Sequence, residues 1–271
     1  MKVKHITLCL VLSAGVACAA SVAPSTYSDS LKEQLRVSWD FETTGSPSYI
    51  GDGCQIGSDW KNLPTVEDGH GVVNSSSRTM YHTHLTGNSN LPGRFDSSSF
   101  TISLDVNGLT LNSDGSSPIF NISCWNNSSE NGQNPILLKA NSNKELVLTL
   151  DGQEVITTGV NVDSLEWTTV TLTSSKLASN ASNQTLSLYI NGEKKGDCTG
   201  WIGSQNIDAM QIGAILGEGG SSVSSMQIDN LSLWNRALSE TEIKSLVVPE
   251  PTTAMLSLLA LAGGALRRRR Q

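Results

Sequence analysis

From Arg36 onward the chain alternates apolar and polar residues with a period of two. Val37, Trp39 and Phe41 fall on one side of an extended backbone, and Phe100, Ile102, Leu104 and Val106 repeat the pattern. That period marks a strand with one buried face, because a helix would scatter such residues around its axis. Similar stretches run over Ile119 to Cys124, Ile136 to Ala140, Glu145 to Leu150, Thr168 to Thr173, Thr185 to Ile190, Met210 to Ile215 and Met226 to Trp234. Asp151-Gly152 and Asn191-Gly192 separate strand pairs where a tight hairpin needs residues that tolerate positive φ. Many short strands with polar turns predict an all-β sandwich of two antiparallel sheets. Residues 43–99 read mostly as loop with two weak strands, and no internal repeat is visible. One short helix is expected from Glu240 to about Leu246. Ser239 and Glu242 form a capping box before it, Leu238 and Ile243 can staple across its start, and Pro249 prevents continuation.

The two ends carry different chemistry. Lys2 and Lys4 precede an apolar run from Ile6 to Val16 and small residues from Ala17 to Ala23, which reads as a secretory signal peptide over residues 1–23. Cleavage is expected around Ala19, Ala20 or Ala23, and lipidation at Cys18 is disfavoured by Gly15 three residues earlier. Residues 24–35 read as a linker. At the far end an apolar run from Ala254 to Leu266 is backed by Arg267, Arg268, Arg269 and Arg270, the pattern of a short transmembrane segment whose charged end stays cytoplasmic. The body in between is expected to be exported. Residues 248–271, with Pro249, Glu250 and Pro251, resemble the PEP-CTERM sorting signal of Gram-negative bacteria. The resemblance implies transient anchoring in the inner membrane, processing near that motif by an exosortase, and release or attachment at the cell surface.

Six of the eighteen basic residues lie in these end segments, which leaves twelve against twenty-five acidic ones, a charge of about −13 when Glu250 is counted with the body. Such a body repels phosphate backbones, so nucleic acid is excluded as a partner. About 225 residues remain, the size of one sandwich domain. Cys54, Cys124 and Cys198 would be exported. One disulfide or none is expected, with no pairing readable from spacing.

The stretch Gln227-Ile-Asp-Asn-Leu-Ser-Leu-Trp-Asn-Arg-Ala-Leu-Ser-Glu-Thr-Glu-Ile-Lys-Ser-Leu246 resembles the closing segment of bacterial laminin-G-like jelly rolls, within the concanavalin A-like lectin and glucanase superfamily. Trp39-Asp40-Phe41, Phe100 to Leu104, Trp167 to Leu172 and Leu186 to Gly192 follow in the family's order. The resemblance implies a concanavalin A-like jelly roll over residues 36–247. Many such domains hold a structural calcium near their paired first and last strands, and calcium prefers carboxylate and carbonyl oxygens. Asp229 stands at the family's acidic position, with Asp40 or Glu42 able to approach from the opening strand. Against that stands the plainer reading that Asp229 bonds to turn backbone.

Hydrolases of this superfamily carry a Glu-x-Asp-x-(x)-Glu string that sets two carboxyls about 5 Å apart, and no such string occurs here. Asp40 and Glu42 share a strand face, but two carboxylates on a terminal strand read as a solvated face. His82 and His84 also share a face, with His70 as the nearest third ligand to a metal, and they read more simply as surface histidines. Trp39, Trp167 and Trp234 fall in predicted strands and are expected in the core. Trp60, Trp125 with Asn126, and Trp201 lie in polar loop contexts, where an indole can stack on a sugar ring while neighbouring amides bind hydroxyls. The expected function is a non-catalytic module for extracellular polysaccharide, surface glycan or surface protein. The alternatives are a structural matrix protein without a specific ligand and a divergent glycosidase or polysaccharide lyase.

Overall fold

Both expected hairpins turn as their chemistry requires. Asp151 and Gly152 take φ of 49° and 78°, and Asn191 and Gly192 take 50° and 73°, the paired positive values that a two-residue loop needs to match strand twist. The computed structural model describes residues 27–42, 49–50, 65–74, 81–84, 99–112, 117–123, 136–176, 184–200, 209–215 and 222–247. These belong to one compact unit, Ser21–Val248. The stretches read as a signal peptide and as a sorting signal lie outside the described residues. Among the described residues no helix is long and apolar enough to cross a membrane.

Numbered in chain order, one sheet contains β1 (Leu35–Trp39), β2 (Tyr49–Ile50), β3 (Thr65–Glu67), β4 (His70–Val73), β6 (Phe100–Thr110), β11 (Thr168–Lys176), β12 (Gln184–Ile190), β13 (Glu193–Gly200) and β17 (Ser225–Trp234). Its order is β13-β12-β11-β6-β17-β1-β2, with β4 beside β17 and β3 beside β4. The other contains β5 (Tyr81–His84), β7 (Ser117–Ser123), β8 (Ile136–Ala140), β9 (Glu145–Leu150), β10 (Gln153–Asn161) and β14 (Ala209–Ile212), in the order β10-β9-β8-β7-β14-β5. A small ribbon pairs β15 (Ala214–Ile215) with β16 (Ser222–Val223). All these pairings are antiparallel, giving a jelly-roll-like sandwich. Phe100, Ile102, Leu104 and Val106 of β6 meet Phe120, Ile122, Leu138, Leu148 and Met210 of the other sheet in one core.

β17 organises the larger sheet. It pairs with β6 on one flank, and on the other with β4 over Met226–Ile228 and with β1 over Leu231–Trp234. The opening and closing strands are thus neighbours, Trp39 opposite Leu231. Where the flanking partner changes, Asn230 takes a φ of 49° and the register slips between Asp229 and Ser232, which is a bulge.

A second apolar cluster lies on the outer face of this sheet, formed by Tyr27, Leu31, Leu35, Tyr189, Trp234, Leu238 and Ile243. It joins α1 (Asp29–Lys32) to α2 (Glu240–Leu246), whose capping box between Ser239 and Glu242 is present. Trp234 Nε1 donates to Leu31 O at 2.6 Å, which satisfies an indole that would otherwise be buried at a cost. The stretch read as a linker is built into the fold from Tyr27 onward, because its widely spaced apolar residues find a ready partner in Trp234. Among the described residues, four short strands stand within 43–99 where two were expected. The returns β10 and β13, implied by the two hairpin turns, were not marked as alternating stretches, since their exposed, polar composition is that of sheet edges.

Candidate functional site

On β6 the outward series Thr101, Ser103, Asp105 and Asn107 alternates with core residues, and on β17 Gln227 and Asp229 take the same side. Register sets Asp105 opposite Asp229 and Asn107 opposite Gln227. Thr169 of β11 stands on the far side of Asp105. On the other side of Asp229, β1 has ended at Trp39 and β4 has begun at His70. Asp229 therefore occupies a seam, with Asp40 and Glu42 arriving from one strand and His70 from another.

The two aspartates are held by protein donors. Asp105 accepts from Thr169 Oγ1 at 2.6 Å and from Asn230 Nδ2 at 2.8 Å. Asp229 Oδ1 accepts from the backbone N–H of Asn230 at 2.7 Å, and Oδ2 lies 3.3 Å from His70 Nδ1. Burial pushes the Asp229 carboxyl up to about 7, and the nearby Asp105, Glu42 and Asp40 carboxylates push the same way against the Asn230 hydrogen bond. Burial also raises Asp105, opposed by its bonds from Thr169 and Asn230.

Trp167 covers this pair. Its ring centroid lies 4.5 Å from that of His70 at an interplanar angle of 48°. Trp167 immediately precedes β11 and His70 opens β4, two strands separated by β6 and β17, so at about 4.8 Å per strand spacing the rings must meet over the outward face. Asp229 is left with an 8 % exposed side chain and His70 with 18 %. Beside the bridge opens a cleft of about 240 Å³, lined among others by Val72, Asn107, Thr110, Ser225, Met226 and Gln227. Asn107 Nδ2 donates to Gln227 Oε1 across it at 2.8 Å.

Several expectations resolve differently. Trp39 and Trp234 are fully buried, but Trp167 is half-buried on the outer face instead of in the core. The parity of β11 carried that signal, because Trp167 matches outward Thr169 and Thr171, whereas Val170 and Leu172 face the core. Asp105 passed unnoticed for want of a motif. Asp40 and Glu42 do approach Asp229, yet Asp40 Oδ1 also accepts from the Glu42 backbone N–H at 3.3 Å, a turn instead of a continued strand. Asp229 bonds to bulge backbone, as its plainer reading had it. His70 belongs to the larger sheet and His82 and His84 to the smaller one. Cys198 is a free thiol on β13. Trp60, Trp125, Asn126, Trp201, Cys54 and Cys124 lie outside the described residues.

An antiparallel sandwich whose opening and closing strands pair beneath a capped C-terminal helix defines a lectin-like jelly roll. The chain belongs to a family described as the concanavalin A-like lectin/glucanases superfamily, whose model matches residues 79–244. No protein of curated function matches it. Among solved structures, a Trypanosoma rangeli sialidase mutant displaying trans-sialidase activity is 17 % identical with a TM-score of 0.56, covering 86 % of this chain and 34 % of its own. A structure of botulinum neurotoxin type C, whose cell entry depends on two ganglioside molecules, is 15 % identical with a TM-score of 0.54, covering 79 % and 50 %. The chain thus spans a third to a half of these relatives, and at such identity the likeness is one of fold.

Proposed function

We propose that the body is an exported, non-catalytic binding module for extracellular polysaccharide or surface glycan, acting through Trp125, Asn126 and Trp201. One observation supports this reading above the rest. Ala209 pairs with both Ser123 and His84, and Ile122 pairs with Ile136. The strand ends that lead into residues 85–98, 124–135 and 201–208 are therefore side by side at one end of the six-stranded sheet. The segment that opens with Trp125 and Asn126 leaves from there, and the segment that opens with Trp201 after β13 returns there at Ala209, which supports a shared sugar-stacking face. Trp60 belongs to a segment rooted elsewhere, between β2 and β3. The sialidase and the ganglioside-dependent toxin support the glycan class at the level of fold only. The test is a glycan array with the purified chain and a Trp125→Ala/Trp201→Ala variant: binding that the variant loses supports the reading, and an array without signal overturns it.

Asp105 and Asp229 favour a second reading, a glycosidase, since carboxyls at register-paired positions have Cβ atoms about 5 Å apart. Their oxygens are already met by Thr169, Asn230 and His70 beneath the Trp167 bridge, which supports structural work instead. Hydrolysis of any array-positive glycan that Asp105→Asn abolishes would reverse that order.

A calcium ion held by Asp229 with Asp40 and Glu42 belongs to the same proposal. Hard oxygen donors and crowded negative charge fit it in kind. Among the described residues no three side chains of His, Cys, Asp or Glu converge as a ligand set, so the fit is one of charge and donor type. The ion would neutralise the seam and supply no catalytic step. Export through the inner membrane and exosortase processing at Pro249-Glu250-Pro251 rest on the order of parts at the two ends. Fractionation of cells and medium, with mass spectrometry of the mature C-terminus, tests both.

A further inference from the structure

We propose that the cleft among β4, β6 and β17 is a second binding subsite, separate from the loop tryptophans, that takes one uncharged pyranose ring of a neutral glycan. The cleft's volume of about 240 Å³ falls below the roughly 300–1,000 Å³ of enclosed ligand pockets, which suits one ring at an open surface. Its polar chemistry is set by the Asn107–Gln227 bond, which consumes one donor and one acceptor. Asn107 Oδ1 remains as an acceptor and Gln227 Nε2 as a donor, neither with a further protein partner among the described residues. Adjacent hydroxyls of a pyranose each donate and accept, so the pair is matched to a vicinal diol. Because the amides already hold each other, little freedom is lost when a sugar binds.

Apolar surface completes the subsite. Val72, half-buried and register-paired with outward Gln227, lines the cleft on the same side as the amides and presents carbon to the C–H face of a ring. Trp167 stands beyond Asn107, next to the lining. Thr168 pairs with Val106, which sets Trp167 beside Asn107, and its ring reaches His70, two residues before Val72 on β4. A half-buried indole braced by an imidazole offers a rigid stacking surface next to the amide pair.

The same neighbourhood selects against acidic sugars. Asp105 stands two residues from Asn107 on the same face, and Asp229 two residues from Gln227. The residues lining the cleft include no Lys or Arg, so a uronate or sialate would bring in a charge that nothing there compensates. The subsite adjoins the opposite end of the sandwich from the paired strand ends Ser123 and Ala209. Ser224, next to Ser225 of its lining, bonds to Pro118 at the start of β7, whereas the Trp125 segment leaves from the end of β7. It therefore does not depend on that segment.

Calorimetric titration of the full chain with cellohexaose, laminarihexaose and N-acetylchitohexaose, and with hexagalacturonate as the acidic counterpart, tests the assignment. At least one neutral probe should bind, hexagalacturonate should not, and Asn107→Ala/Gln227→Ala should weaken binding about tenfold, as two lost hydrogen bonds predict. Trp125→Ala/Trp201→Ala should leave this binding in place. Saturable movement of the Trp167 indole N–H resonance in the unsubstituted chain gives a second readout that needs no variant. No neutral binding, equal binding of hexagalacturonate, a silent Trp167 indole, or loss confined to the Trp125→Ala/Trp201→Ala variant would each overturn the proposal. The last outcome would leave the loop-face reading standing, whereas loss confined to the amide variant would support this subsite and remove that one.

Discussion

Replacing Asp229 with Asn removes a charge that the folded chain disfavours. The Asp229 carboxyl is pushed from an ordinary 3.8 up to about 7. An acid raised in the folded state binds more protons folded than unfolded between those two values. Stability therefore falls as pH rises from about 4 to about 7, and the whole loss is present above it. Three pH units at about 1.4 kcal/mol each set a ceiling of about 4 kcal/mol. Residual water at the seam and the His70 contact reduce that to about 2–3 kcal/mol in order of magnitude. Asparagine keeps an oxygen for the Asn230 N–H and gains a donor for His70, so the geometry should survive. Thermal unfolding of both proteins in EGTA, from pH 4 to pH 8, isolates the effect. The curves should meet near pH 4 and separate until Asp229→Asn melts on the order of 5–10 °C higher at pH 8. Equal melting at every pH, or a variant less stable at pH 8, would refute the electrostatic account. Millimolar calcium should stabilise the unsubstituted chain and leave the variant unmoved. An identical response of the two would take Asp229 out of any metal site.

Two further substitutions test the frame around the site. Arg236 donates to Glu33 O and Ser30 O at the end of α1, and its Nη1 and Nη2 reach Glu242 at 3.0 and 2.8 Å. The Arg236 guanidinium holds the Glu242 carboxyl down to about 2, so the stability it contributes is present above about 4.5 and lost as pH falls through about 2. Arg236→Ala should cost about 2 kcal/mol at pH 7 in urea unfolding and should flatten that acid limb. Gly71→Ala would place a Cβ 2.7 Å from the Phe41 ring and 2.9 Å from Ile228. With both neighbours packed in the core, about 1–3 kcal/mol should be lost, and a variant that melts with the parent would show that Phe41 can move aside.

Local chemistry made much of this fold legible before any coordinates. Asn191-Gly192 and Asp151-Gly152 turn where their tolerance of positive φ placed them, and Ser239 with Glu242 caps α2 because the box is complete within four residues. Parity would also have placed Trp167 outward, had it been weighed above the habit of burying tryptophan. What stayed hidden is contact at long range. Tyr27, Leu31 and Leu35 looked like a linker because their partner, Trp234, lies some two hundred residues away.

Alternation along each strand by itself determined which side chains share a face, and turn and cap residues determined where the elements stop. Only the tertiary structure decided that His70, Asp105, Trp167 and Asp229 meet. Alternation names a face but not a neighbour. The neighbours were set by the register of strands as far apart in sequence as His70 and Asp229, 159 residues, and a one-residue slip of any of them would have turned its side chain to the opposite side.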